Sequence, residues 1–265
     1  MAHHFFSGSL VLALTLTASA SAAPLPVTAG LQLHLDASAI TGLNPSDPVA
    51  NWDDLSPADN DAVAGGSNQP LYMPAVANGL PAVRFDGSND AMNTGSTMTI
   101  GSAFIVGRLH TGTTWGSTYH TFAGAIGTNN HLFIADGTTS TNLYFSGASL
   151  FPISSVLIDG NPGVDFAPLQ QLKALYGFTT SPTTAAVCLG HDASGGQPGM
   201  IDLAEVIIYN QMLSEEDLNA VGFYLQDKYG LAGNFTAPAV PEPSTFALLA
   251  VSAITMAGFL RRRRA

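Results

Sequence analysis

The sequence predicts an all-β domain: a sandwich of two antiparallel sheets with one short helix near its C-terminal end. Three observations predict it. Short runs rich in β-branched and aromatic residues recur between residues 31 and 209, separated by Gly, Ser, Thr and Asn turns. The intervals between them show no helical periodicity, which argues against alternating β and α units. Only the stretch after Ser214 carries an apolar stripe of helical period.

Residues 31–36 (LQLHLD) alternate with period two, which predicts a half-buried strand with Leu31, Leu33 and Leu35 on one face and His34 on the other. Residues 82–86 alternate in the same way before the turn Gly87-Ser88-Asn89-Asp90. Residues 103–106, 131–135, 143–145, 172–178 and 185–189 are further strand candidates; Cys188 lies in the last, as a small apolar residue of the core. Residues 201–209 form the most continuous apolar run and the firmest strand. The helix starts at Ser214, an N-cap followed by Glu215, Glu216 and Asp217 in the first turn, where acids favour the helix dipole. Leu218, Val221, Leu225 and Tyr229 make its apolar stripe, Lys228 sits near its far end, and Gly230 stops it.

Charge separates this domain from the chain ends. The 265 residues hold 8 basic and 19 acidic side chains, a net of −11. Four of the basic ones are Arg261, Arg262, Arg263 and Arg264, leaving Arg84, Arg108, Lys173 and Lys228 for everything else. So few cations exclude a nucleic-acid binder, which needs clustered Lys and Arg to neutralise phosphates. One cysteine excludes both a disulfide framework and a thiolate metal site. Residues 10–17 (LVLALTLT) and the small residues after them read as a secretory signal peptide over 1–22, with Ala20-Ser21-Ala22 as an A-x-A site cut between Ala22 and Ala23. The charge-free span 246–260 before the arginines reads as a short transmembrane helix whose C-terminal end the positive run holds in the cytoplasm. Residues 232–239 read as a linker. Residues 23–240 then keep four basic against 18 acidic side chains, a net of −14.

Pro241-Glu242-Pro243, an apolar span and a terminal arginine run resemble the PEP-CTERM sorting signal of bacteria over residues 240–265. That resemblance implies processing by an exosortase near the Pro-Glu-Pro motif, transient anchoring in the inner membrane through the C-terminal span, and delivery to the cell surface or an extracellular (biofilm) matrix. A second resemblance lies in residues 201–209 (IDLAEVIIY), 213–217 (LSEED) and 224–230 (YLQDKYG), preceded by His34-Leu35-Asp36-Ala37, residues 51–56 (NWDDLS) and residues 79–87 (GLPAVRFDG). Together these are similar to LamG-like domains of the concanavalin A-like lectin and glucanase superfamily, over 23–231. The resemblance implies a jelly-roll sandwich and gives Trp52, beside Asp53 and Asp54, a structural role.

Candidate chemistry is sparse. Retaining glycoside hydrolysis needs two carboxylates about 5–5.5 Å apart, and the glucanase pattern E-x-D-x-x-E is absent. Asp202 and Glu205, three apart, are expected on opposite faces of a regular strand. Glu205 shares a face with Leu203, Ile207 and Tyr209, and is expected to pair with a backbone NH or with Arg84. No G-x-S-x-G elbow or metal-spaced histidine pair occurs. No cofactor is required by any motif; calcium is one reading of Asp86, Asn89 and Asp90, a plain hairpin turn the other. For a sugar, the best-placed rings are Trp115 and Tyr119 with His120, in a polar stretch where rings can stack on sugar faces. The expectation is therefore an exported, non-catalytic, carbohydrate-binding or adhesive protein associated with extracellular polysaccharide. A structural protein–protein module of the surface is the alternative, followed by a divergent hydrolase or lyase. So acidic a domain should repel anionic polymers, which narrows the ligand to neutral glycans or calcium-linked contacts.

Overall fold

The structure is a computed structural model describing residues 24–110, 119–126, 130–136, 143–144, 155–191 and 197–238. The chain runs through β1 (Leu31–Asp36), β2 (Asn51–Trp52), β3 (Ala62–Val63), β4 (Leu71–Ala77) and β5 (Leu80–Asp86). It continues through β6 (Met92–Thr94), β7 (Met98–Leu109), β8 (Tyr119–Ala125), β9 (Asn130–Asp136) and β10 (Leu143–Tyr144). Then follow β11 (Val156–Ile158), β12 (Asn161–Pro162), β13 (Lys173–Ala185), β14 (Val187–Leu189), β15 (Met200–Tyr209) and helix α1 (Glu215–Tyr229).

These strands make two antiparallel sheets, a jelly-roll-like sandwich as expected. One sheet has the order β12-β11-β13-β7-β15-β5-β4, with β1 also paired to β15; the other is β10-β9-β8-β14-β6-β3-β2. Between them Leu33, Leu35, Trp52, Phe85, Phe122, Phe133, Val187 and Leu203 fill one buried core. A second core lies on the outer face of the first sheet, where Phe104, Val106, Tyr176, Ile207 and Tyr209 meet Val221, Leu225 and Tyr229 of α1. The helix begins and ends as its sequence requires: the Ser214 hydroxyl accepts the Asp217 N–H, and Gly230 adopts the left-handed C-cap (φ 59°).

Strand β15 positions the site described below. It pairs with β7 along its whole length, but on its other edge Met200–Leu203 pair with β5 while Glu205–Tyr209 pair with β1. Where the neighbour changes, the β7 register slips between Leu203 and Glu205. This bulge breaks the alternation. Ile201, Leu203, Val206 and Ile208 enter the inter-sheet core, whereas Ala204, Ile207 and Tyr209 pack under the helix. Two expectations are corrected by it: Glu205 does not share a face with Leu203, and Asp202 and Glu205 do not lie on opposite faces. A similar irregularity between Leu31 and Leu33 sends Leu31 to the helix side, away from Leu33 and Leu35.

Residues 232–236, expected to begin a linker, are docked instead. Phe235 is buried over Gly222, where a Cβ would stand 2.1 Å from the Phe235 ring, so only glycine lets the chain cross the helix there. Asn234 N–H donates to the Asp159 carbonyl at 2.8 Å and holds the segment to the sheet. The apolar span 246–260, the signal peptide with Ala22 and Ala23, and Trp115 lie outside the described residues. Among the described residues no helix is long and apolar enough to cross a membrane.

Candidate functional site

The register of β1 against β15 sets Asp36 directly opposite Glu205. Two carboxylates facing each other across strands repel, and both are buried, Glu205 completely. Lys228, from the last turn of α1, resolves the conflict: its Nζ donates to Asp36 Oδ2 at 2.6 Å and to Glu205 Oε2 at 2.7 Å. Glu205 is fully occupied. Its Oε1 takes His34 Nε2 at 2.8 Å and the Tyr224 hydroxyl at 3.1 Å, and its Oε2 takes Lys228 and the Tyr229 hydroxyl at 3.0 Å. The expected partners, a backbone N–H or Arg84, are not those found: the donors are all side chains, and Arg84 lies elsewhere.

Charge placement follows from this packing. Burial pushes the Asp36 carboxyl up, but the Lys228 charge and its hydrogen bonds outweigh that and hold it below the usual range. Burial alone would lower Lys228; the Glu205 and Asp36 charges reverse the effect and raise it. Burial, then the Glu205 charge, raises the Tyr224 and Tyr229 phenols. His34, Asp36 and Glu205 offer ligand atoms within 4.8 Å of one another, a spacing that suits a metal ion. The Lys228 ammonium already bonds both carboxylates, so the positive charge such a cluster requires is built into the chain.

Asp202 anchors a second buried centre. It is wholly buried and sits opposite Arg84 on β5 and Arg108 on β7. Arg84 Nε donates to Oδ1 at 2.7 Å and its Nη2 to Oδ2 at 3.0 Å, while Arg108 Nε donates to Oδ2 at 2.9 Å. Lys173 pairs with Asp159 at 3.4 Å. Every Lys and Arg among the described residues is thus paired with a buried or nearly buried carboxylate.

Beside the first network a cleft of about 340 Å³ opens at the seam between β1 and β2, which belong to different sheets. Asp36, Asn51 and Asp53 give it polar groups; Ile40, Trp52 and Leu55 give it apolar wall. Asp53 and Asn51 are exposed, and the Asn51 amide donates to the Asp53 carboxylate. The neighbouring Asp54 is structural: it accepts the backbone N–H groups of His34, Ser56 and Asn60 and the Ser56 hydroxyl, fixing the loop to β1. Trp52, 1% exposed, is a core residue whose indole Nε1 has no hydrogen-bond partner.

The described residues expected to bind sugar or calcium, Tyr119, His120, Asp86, Asn89 and Asp90, do not line this cleft. Tyr119 and His120 open β8, Tyr119 half-buried and His120 buried with its Nδ1 accepting the Met200 N–H at 3.2 Å. Burial lowers the His120 pKa, an effect partly offset by its bond to the Pro198 carbonyl. Asp86, Asn89 and Asp90 share one turn whose carboxylates serve the backbone: Asp86 Oδ1 accepts from Ser88 and Asn89, and Asp90 Oδ2 accepts from Asp86 at 2.9 Å. Burial and the Asp86 charge push the Asp90 carboxyl up to about 6, against the Asp86 N–H bond. Unfolded Asp ionises near pH 3.9, so this group costs stability as pH rises from about 4 to 6 and by a constant amount above. Asp90→Asn keeps an acceptor and removes the charge. It should stabilise the domain by about 1 kcal/mol at pH 7.5, allowing for solvent screening, and lose that advantage at pH 4; urea melts at the two pH values measure it.

The network escaped the sequence reading because it depends on β1 meeting β15 and on the bulge, and the cleft because it depends on β1 and β2 meeting across the two sheets. The one available signal was Tyr224 and Lys228 spaced four apart beside the apolar stripe.

Comparison with known proteins supports the sorting signal. Residues 239–264 match the PEP-CTERM protein-sorting motif, which implies exosortase processing, export and a transient membrane-anchored state before the cell surface. No curated protein matches the chain in sequence. Solved structures similar to the chain include Trypanosoma rangeli sialidase (13% identity, TM-score 0.44, covering 77% of this chain and 34% of that one). The same sialidase with the inhibitor DANA gives 14% identity, TM-score 0.44 and coverage of 78% and 34%. The chain thus spans about a third of the length of these proteins.

Proposed function

We propose that this chain is an exported, non-catalytic surface or matrix protein. Its LamG-like, concanavalin A-type domain associates with neutral extracellular polysaccharide after exosortase sorting. The observation that carries this reading is the placement of charge: all four described cations are consumed internally by Asp36, Glu205, Asp159 and Asp202. Recognition of carboxylate or sulfate sugars uses Arg forks or Lys ammonium groups, and no unpaired one is left for that task among the described residues. The LamG-like assignment is supported by β15 and α1, which form the strand, loop and helix of residues 201–230. The non-catalytic reading is supported by the state of the convergent carboxylates. Glu205 is wholly buried, and Asp36 is held ionised against Lys228, so it has no proton to donate.

Affinity co-sedimentation with the full chain in detergent micelles tests the reading. The chain should be retained by neutral polymers, including neutral fractions of the producer's own exopolysaccharide, with little dependence on salt or chelator. Retention only by anionic polymers, or capture of surface proteins with no glycan bound, would count against it.

A further inference from the structure

We propose that the cleft at the β1–β2 seam is the carbohydrate-binding site, taking one or two rings of a neutral glycan. The inference rests on the neutral-polysaccharide reading above and goes beyond it by placing the ligand. The volume of about 340 Å³ lies at the small end of the ~300–1,000 Å³ of small-molecule sites, which suits a short segment rather than a long chain in a groove.

The chemistry of the walls selects the ligand. Asn51 and Asp53 are exposed and hold each other in place, presenting a carboxylate and an amide to sugar hydroxyls. Leu55, 49% exposed, and the half-buried Ile40 offer apolar contact for the C–H face of a ring. Leu55 is one of few large apolar side chains exposed among the described residues, and it faces this cleft. An anion is disfavoured because Asp36 and Asp53 line the site and, among the described residues, no cation does. A metal cation is disfavoured for the opposite reason: Lys228 bonds Asp36 from the protein side at 2.6 Å, placing positive charge behind that wall. What remains is an uncharged, hydroxyl-rich molecule with an apolar face.

The floor of the cleft is rigid, which favours binding without reorganisation. Asp36 is fixed by Lys228 and by the Ser38 N–H and hydroxyl at 2.9 and 2.6 Å, and the adjoining loop is pinned by Asp54. Three residues at the rim, Asn51, Asp53 and Leu55, can be changed without touching either core.

The test uses the full chain in detergent micelles with an array of neutral oligosaccharides, followed by hydrogen–deuterium exchange with saturating cellobiose, maltose or whichever neutral array sugar binds. Asp53→Ala and Leu55→Ser should each weaken binding at least tenfold with unchanged melting temperature, and the sugar should slow exchange within residues 36–55. Loss confined to Trp115→Ala, with exchange slowed at 119–126 and both rim variants unaffected, overturns the cleft while the glycan reading stands. A wild-type chain that binds no neutral glycan at all overturns the reading and the cleft with it.

Discussion

Lys228→Met is expected to lower the unfolding free energy by about 3–5 kcal/mol, the cost of stranding buried charge by removing its partner. Lys228 is the only ammonium bonded to Asp36 and Glu205 among the described residues, and its side chain is 6% exposed. Without it two carboxylates face each other across β1 and β15. The pH dependence identifies the mechanism. In the wild type Asp36 ionises below its unfolded value, so its contribution is present above about pH 4 and is lost as pH falls through the folded value. Lys228 is raised, so its contribution is complete below about pH 10 and is lost only as pH climbs further. In the variant the sign reverses on the acid side: uncompensated carboxylates bind protons more tightly when folded, so acid relieves the strain. Denaturant melts should therefore show a smaller difference between variant and wild type at pH 4.5 than at pH 7.5. Adding Glu205→Gln should recover part of the loss at pH 7.5. A deficit independent of pH would mean that Lys228 acts through its aliphatic stem alone.

The same residues show what sequence pattern can and cannot convey. Period-two alternation identified β1 and β5, and the apolar stripe with Ser214 and Gly230 defined α1 to its ends, because those signals are local. Met98–Leu109 and Lys173–Ala185 are much longer strands than the short runs 103–106 and 172–178 from which they were expected. Met98–Leu109 is buried on both faces, and alternation disappears when both faces are apolar. Lys173–Ala185 runs on past a register shift into the polar, mostly exposed residues 180–184, where no apolar alternation marks the strand. The partner of Glu205 was misassigned for a nonlocal reason. A one-residue bulge where β15 exchanges β5 for β1 decides which face Glu205 occupies, and pairing register is not written in the strand itself. The cleft was hidden similarly: Asp36 and Asp53 are neighbours only because the two sheets meet at their β1 and β2 edges.

Asp202→Ala tests the other half of the charge argument, and its expected effect is on both stability and binding. Removing this fully buried carboxylate leaves Arg84 and Arg108, on the two strands that flank β15, with no counter-charge. Each arginine side chain is 24% exposed, so both can turn partly to solvent, and the loss should fall at the lower end of the range for a broken buried pair, about 3 kcal/mol. The turned guanidiniums would be the first unpaired cations on a domain of net charge −14. Guanidinium forks bind carboxylate and sulfate groups bidentately. The folded variant should then acquire weak, salt-sensitive retention on an anionic polysaccharide column that the wild type passes through, while retention on neutral polymers is unchanged. Asp202→Asn, which keeps acceptor oxygen but not charge, should show a smaller stability loss and the same new retention. If both variants pass through the anionic column as the wild type does, pairing with Asp202 is not what keeps this domain from anionic polymers, and its net negative charge must suffice.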